Sequence, residues 1–588
     1  MHLSPLIIGA LGLVPIAAAA PSSAPLDTRA DCNFDNGANH ACWQGTYNLN
    51  TNYYTDTPPS GGISEHWFNL SSLNMAPDGV SRPVLAINGS IPGPTIVANW
   101  GDTIIVHVTN NLPDQGTSIH FHGLRQKGTN DQDGVPSITQ CPITPGKTKT
   151  YTFVAHQYGT SWYHSHYGVQ AWDGVFGAIQ INGPVSAPYD LDLGPLLLSG
   201  WTHRTSESIF EDSLKPTSPD HPENPINPDG VNTNNGLING TNVYNGTGSR
   251  FQLNFTQGSS HRLRLINTAI NTHFAVSVDN HTIQVIGADF VSIEPFTTDI
   301  LYIGIGQRYD VIITANQSAI GGDFWFRAET QNICGSMDDI STGNVKAIVR
   351  YNTSTTKPGT EPATVGYDSG PNREQSCLDM SSIVKMSPSM KLDVPIDDAG
   401  TKSINESVSW SQAFDPTTNI ITWQIKQTPY VSDWGNPTLK QITDPNAVFD
   451  PEQHIVELTG KDVWVHMLIE TDAGTPHPIH LHGHDFLILS QGINAYNNAS
   501  DVLNLTNPPR RDVAMLPGGH LYIAFLTDNP GAWLLHCHIG WHASQGFAMT
   551  LLERRDEIKP AQGVIESECK DWNEFARGHN VSQHDSGI

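Results

Sequence analysis

Positive charge is scarce in this chain of 588 residues: 30 Lys and Arg stand against 57 Asp and Glu, a formal net charge of −27. A surface that tracks phosphates needs a clustered excess of basic side chains, and no such cluster is found, so nucleic acid is excluded as a partner. The acidity itself reads as solubility and compatibility with mildly acidic surroundings. Long amphipathic helical stretches are hard to find. Beyond the N-terminus no apolar run is long enough to cross a bilayer, so no membrane partner is expected. Cysteine is sparse as well, with seven in all.

Glycine (52) and proline (40) are plentiful, and short runs such as TIIVHVT, FAVSVD and RYDVIIT recur between turn signals. That pattern predicts β-sandwiches or barrels, and the length suggests about three or four domains. The first 20 residues carry an apolar core followed by small residues, as a secretory signal does, and residues 21–29 read as a propeptide ending at Arg29. About a dozen Asn-x-Ser/Thr sites, among them Asn69, Asn88, Asn239, Asn254, Asn280, Asn352, Asn405 and Asn504, fit a secreted glycoprotein. Nothing in the sequence points to an oligomer, and monomer is the default.

Histidines cluster in four HxH pairs: His120/His122, His164/His166, His480/His482 and His536/His538. On a strand, residues two apart share a face, so each pair can bind one metal or two neighbouring metals. Cys537 lies between His536 and His538 and must face the other way. His477, an odd number of residues before His480 and followed by Pro478, is also free to face elsewhere. Cys537, His477 and His542 therefore remain as a separate set. In an oxidising compartment an odd seventh cysteine is reactive or occupied, and Cys537 is the candidate.

A thiolate with two imidazoles and a weak or absent axial group is the arrangement of blue copper. A zinc site of one Cys and two His has the same ligand count but leaves eight neighbouring imidazoles unexplained. If Phe547 occupies the axial place it cannot ligate, which favours Cu(I) and a raised potential; a core aromatic is the alternative reading.

The segments HFHG, WYHSH, HPIHLHGHDF and HCHIGWHASQGF, in this order and spacing, resemble the copper-binding segments of the multicopper oxidases, and the chain is similar to the laccases of filamentous ascomycete fungi. The resemblance also runs through NGSIPGPTI, GQRYDVII, NPPRRDV and TDNPGAWLLHCHIGWH. It implies an all-β chain of three cupredoxin-like Greek-key domains: 30–185, 186–352 and, after a linker at 353–390, 391–588 with a C-terminal plug. It implies four copper ions: a type 1 ion on His477, Cys537 and His542; a type 2 ion on His120 and His480; and a type 3 pair, one ion on His122, His164 and His538, the other on His166, His482 and His536. Electrons would pass from Cys537 along the backbone to His536 and His538. His484 and His156 have no ligand role in the family and are read as structural.

The resemblance further implies disulfides Cys32–Cys42, Cys141–Cys569 and Cys334–Cys377. It makes Asp133 an acid that helps move protons to oxygen, with a turn-forming Asp before Gly as the alternative. The terminal DSGI, Asp585 to Ile588, resembles a plug in the solvent channel. Where the family generally places a proton-accepting carboxylate in the substrate pocket this chain has Asn271, which cannot act as a base. The function implied is a secreted laccase, oxidising phenols and aromatic amines and reducing O₂ to water. The alternatives are ascorbate oxidase, bilirubin oxidase, ferroxidase, or a non-catalytic cupredoxin-like copper protein. Lignin fragments, pigment precursors and host defence compounds all fit as substrates.

Overall fold

The computed structural model describes residues 32–588 except 36, 215–232, 318–322, 332–342, 358–359, 367–376, 378, 396–402 and 416–419. The signal and propeptide readings lie outside these residues. So does one side chain of each of two expected disulfides, Cys32 and Cys334.

The architecture is all-β, arranged as successive pairs of packed sheets. The first pair joins the strands Arg82–Ile87, Ile63–Met75, Thr103–Asn110 and Thr148–Val154 in one sheet, and Gly93–Asn99, Phe176–Asn182, Gly159–His164 and His120–Phe121 in the other. A six-stranded and a five-stranded sheet follow within residues 191–351, then a seven-stranded and a five-stranded sheet within 403–553. TIIVHVT alternates half-exposed and buried positions, as a strand with one wet face should. FAVSV and RYDVII are buried throughout, so both faces of each strand are covered.

One element departs from the sequence reading. Gln562–His579 is an 18-residue helix that buries Ile565, Cys569 and Trp572. Their spacing of four and three is a helical stripe, but a narrow one within an acidic, polar segment, so it stands out poorly from sequence. The stripe is fastened by the Cys141–Cys569 disulfide, whose partners are 428 residues apart. The stretch 353–390 is also more than a spacer where it is described. Met380 and Met386 are buried in the core of the second sheet pair, and Asp379 accepts bonds from Gln307 Nε2 and the Met515 amide, both at 3.2 Å. Among the described residues no helix is long and apolar enough to cross a membrane.

Candidate metal centres

Two antiparallel pairings place the histidine-rich segments. His120 lies opposite His164, and His480 lies opposite His536 while Ile479 lies opposite Cys537. Cross-strand neighbours on one face are about 4.5–5.5 Å apart, so register alone sets these imidazoles side by side. The strand Gly531–Cys537 runs into a short helix, Gly540–Ser544, which carries His542.

The alternation along this strand separates two groups of side chains. On one side Cys537 Sγ lies 3.7 Å from His477 Nδ1 and 3.6 Å from His542 Nδ1, and the two nitrogens are 3.1 Å apart. All three residues are buried, and no further His, Cys, Asp or Glu joins the group among the described residues. Phe547 closes the site, with its ring 4.9 Å from that of His477, and Trp423 lies 4.7 Å from His477 and 4.6 Å from His542. Trp410 backs Phe547 at 4.7 Å. Three donors walled by aromatics, with no fourth His, Cys, Asp or Glu among the described residues, suit copper better than four-coordinate zinc.

On the other side eight imidazoles converge. His166, His482 and His536 form one candidate ligand group, with the Nε2 atoms of His482 and His536 3.3 Å apart. His538 Nε2 lies 3.2 Å from His122 Nδ1, and His122 groups with His164 and His120. His120 also groups with His480 and His482, and the ring of His122 stacks on that of His480 at 3.9 Å.

The donor chemistry fits metal. His120 Nδ1 donates to the Asp133 carbonyl at 2.8 Å, His480 Nδ1 to that of Asp512 at 2.8 Å, and His164 Nδ1 to that of Ser165 at 3.0 Å. These bonds assign the tautomer that leaves each Nε2 lone pair free, as ligating histidines require. Nε2 of His120, His164, His166 and His480 finds no hydrogen-bond partner among the described residues. Leaving one such buried atom unmet costs about 1–3 kcal/mol, so four converging together call for a ligand. Burial, reinforced by neighbouring imidazoles, holds His122, His164, His166, His480, His482 and His538 well below the usual histidine range, and burial sets His536 at about 3. They are neutral, which is the form that binds a metal.

Asp133 is buried between two of these rings. Its Oδ2 is 2.8 Å from His482 Nδ1 and its Oδ1 3.2 Å from His120 Nδ1, so it does more than shape the turn before Gly134. Sequence reading gave no role to Asp512, in the stretch NPPRRDV. Its carboxylate pairs bidentately with Arg308 at 2.5 Å and lies 3.3 Å from His122 Nε2. The glycine of HFHG follows from this approach: Gly123 has φ +74°, and a Cβ there would stand 2.2 Å from Asp512 Oδ2. Trp162, packed 4.2 Å from His164 and 5.5 Å from His538, was also missed. A tryptophan preceding a histidine pair carries no local signal of such contact.

Ile588 reaches this region. With His164, His166, His536 and His538 it lines a cavity of about 20 Å³, room for about one water. The tail is seated by Ser137 Oγ and Trp434 Nε1, which donate to the Gly587 carbonyl at 2.8 and 3.1 Å, and by Ser586 Oγ, which donates to the Ala543 carbonyl at 2.7 Å. Burial pushes the Asp585 carboxyl up to about 7.

Asn271 is buried and its Oδ1 accepts from Thr233 Oγ1 at 3.4 Å; its neighbour Ile270 accepts a bond from the Gly540 amide at 3.0 Å, at the start of the helix that carries His542. His484 and His156 join none of the ligand groups: His484 Nε2 lies 2.9 Å from Glu553, and His156 is half-buried.

Comparison with known proteins identifies the family. Three multicopper oxidase family profiles match residues 69–186, 192–354 and 423–557. A relative named Laccase-2 from Botryotinia fuckeliana is 42% identical, covering 97% of this chain and 96% of the relative. The crystal structure of a laccase from Botrytis aclada superposes with a TM-score of 0.84 at 40% identity, covering 95% of this chain and all of that one. Fet3p, a multicopper oxidase that functions in iron import, superposes with a TM-score of 0.72 at 25% identity, covering 90% of this chain and 97% of that one.

Proposed function

This chain belongs to the multicopper oxidase family and is an oxidoreductase of the laccase kind, and from that premise we propose a secreted enzyme that takes electrons from phenols or aromatic amines at one copper and delivers them to O₂ at three others. Residues 30–185, 186–352 and 391–588 are its three cupredoxin-like domains. Bound in these centres, copper would supply the one-electron redox steps and the reduction of O₂. His477, Cys537 and His542 would hold the type 1 ion, His120 and His480 the type 2 ion, and the remaining six imidazoles the type 3 pair.

The observation that carries this reading is that Cys537 belongs to one group while its two chain neighbours belong to the other. Backbone thus joins the two centres directly. Phe547 offers no donor atom, so His477, Cys537 and His542 would be the residues that hold the type 1 ion beside its ring. Asp133, against His120 and His482, holds a proton-accepting carboxylate beside the cluster. Ile588 fills the approach to the cluster as a plug, and the seated tail leaves space for about one water.

Oxygen uptake by the copper-loaded protein with a panel of phenols, aromatic amines, ascorbate, ferrous ion and bilirubin tests the reading. Uptake is expected with the phenols and amines; uptake with ferrous ion or ascorbate alone would replace laccase by another oxidase. In the substrate pocket Asn271→Asp restores a base, and turnover of phenols should rise by about tenfold or more if a general base is limiting. No change with any phenol would remove Asn271 from the pocket. Deleting Asp585 to Ile588 should alter oxygen consumption, and normal consumption would dispose of the plug.

A further inference from the structure

The outer face of the first sheet carries an aromatic side chain with no place in the redox chemistry. Trp67 is 57% exposed, in the middle of the 13-residue strand Ile63–Met75. Its neighbours Phe68 and Leu70 point into the core, so Glu65, Trp67 and Asn69 share the wet face. In register with them lie His107 and Thr109 of the next strand. The indole stacks on the His107 ring at 5.2 Å and 24°. His107 is in turn held by Glu65 Oε1 at 2.8 Å and Thr150 Oγ1 at 2.9 Å, so the platform is braced on three sides. One exposed ring is ordinary on a protein surface, but a braced indole face beside an asparagine acceptor can be covered by a sugar.

The sequon Asn69-Leu70-Ser71 supplies one. Residues two apart on a strand stand about 7 Å from each other on the same face, within reach of the first sugar on an asparagine. The apolar C–H face of a pyranose suits the face of an indole. The neighbouring sequon at Asn88 is differently placed. Its Oδ1 accepts from the Asn69 amide at 2.8 Å and its Nδ2 donates to the Trp67 carbonyl at 2.8 Å, so this side chain lies along the strand and continues its ladder. Among the described residues the Nδ2 of Asn69 has a single contact, at the limit of bonding, 3.5 Å to Asn88 Oδ1.

We infer that Asn69 is a glycosylation site whose core sugar stacks on Trp67, so that the glycan covers the exposed aromatic face of the first domain. The inference rests on the secreted reading above. Its occupant is this chain's own glycan; an external polysaccharide is the competing one.

The test uses the full-length protein secreted from a fungal host. Glycosidase-tagged peptide mapping reads occupancy at each sequon, and hydroxyl-radical footprinting reads the accessibility of Trp67. Asn69 should be occupied and Trp67 protected. Trimming glycans to the first sugar should leave that protection intact, while Ser71→Ala, which removes the sequon and keeps Asn69, should raise Trp67 oxidation several-fold with oxygen uptake unchanged. Asn69→Gln provides the same comparison should the first variant secrete poorly. Occupied Asn69 with equal oxidation in both proteins overturns the stacking, as does Trp67 protection by added polysaccharide but not by the glycan. A bare Asn69 among occupied sequons overturns the inference and leaves the secreted reading standing. If the protein stays inside the host and none reaches the medium, the secreted reading falls, and this inference falls with it.

Discussion

The cysteine-centred group and the imidazole cluster are linked by single peptide bonds, yet they are built in opposite ways. His477, Cys537, His542 and their walls Phe547, Trp410 and Trp423 all come from the sheet pair within residues 403–553. The cluster takes four imidazoles from His120 to His166 and four from His480 to His538, so it exists only while the first and third sheet pairs are docked. Several devices hold them together: the Cys141–Cys569 bridge; Asn130, which accepts from the Ala532 amide at 2.9 Å and donates to its carbonyl at 3.0 Å; and Arg308, from the second pair, on Asp512. One centre therefore depends on strand register and the other on assembly.

Cys537→Ser should break the comparison most severely. The thiolate-to-copper absorption and phenol-driven oxygen uptake should both vanish, while metal analysis still finds the cluster's copper. Replacing Cys141 and Cys569 together by Ser should remove about 2–5 kcal/mol of stability and release cluster copper at lower chelator concentration than type 1 copper, followed by metal counts and absorption in parallel. Loss of both at the same point would show that the centres share one support. Asp133→Asn should lower steady-state oxygen uptake by roughly 10–100-fold and leave the type 1 absorption unchanged, as expected for a carboxylate that braces His120 and His482 and accepts protons beside the cluster.

The tail gives a smaller, pH-dependent effect. Asp585 is raised from an ordinary 3.8 to about 7 by burial, so the seated tail binds its proton more tightly than the free tail. Its contribution to seating is complete below about 4 and is lost as pH rises through about 7. Carboxypeptidase trimming of Ile588 should accelerate across that window in the native protein, and the acceleration should be absent in Asp585→Asn. Smallest of all, Phe547→Met should lower the type 1 potential by supplying a weak axial donor, read by redox titration.

The local half of this arrangement is legible in the sequence. Period-two alternation is a short-range property, so the opposite facing of Cys537 and its neighbours, and the sharing of a face by His480 and His482, follow from spacing alone. TIIVHVT, FAVSV and RYDVIIT are strands for the same reason. What joins distant stretches is not legible. Asp512 reaches His122 across 390 positions, and nothing in NPPRRDV distinguishes a carboxylate aimed at a histidine from one paired with its adjacent arginines. The C-terminal helix hides behind a stripe only three residues wide, and the burial of Met380 and Met386 inside an apparently polar connector depends on a core contributed by other segments.

Anomalous diffraction at the copper edge from crystals of the copper-loaded protein tests the central claim most directly. The account predicts four ions: one within bonding distance of Cys537 Sγ and the Nδ1 atoms of His477 and His542, and three enclosed by the eight imidazoles. Fewer ions at full loading, or a ligand set that leaves Cys537 on the same side as His536 and His538, would contradict it.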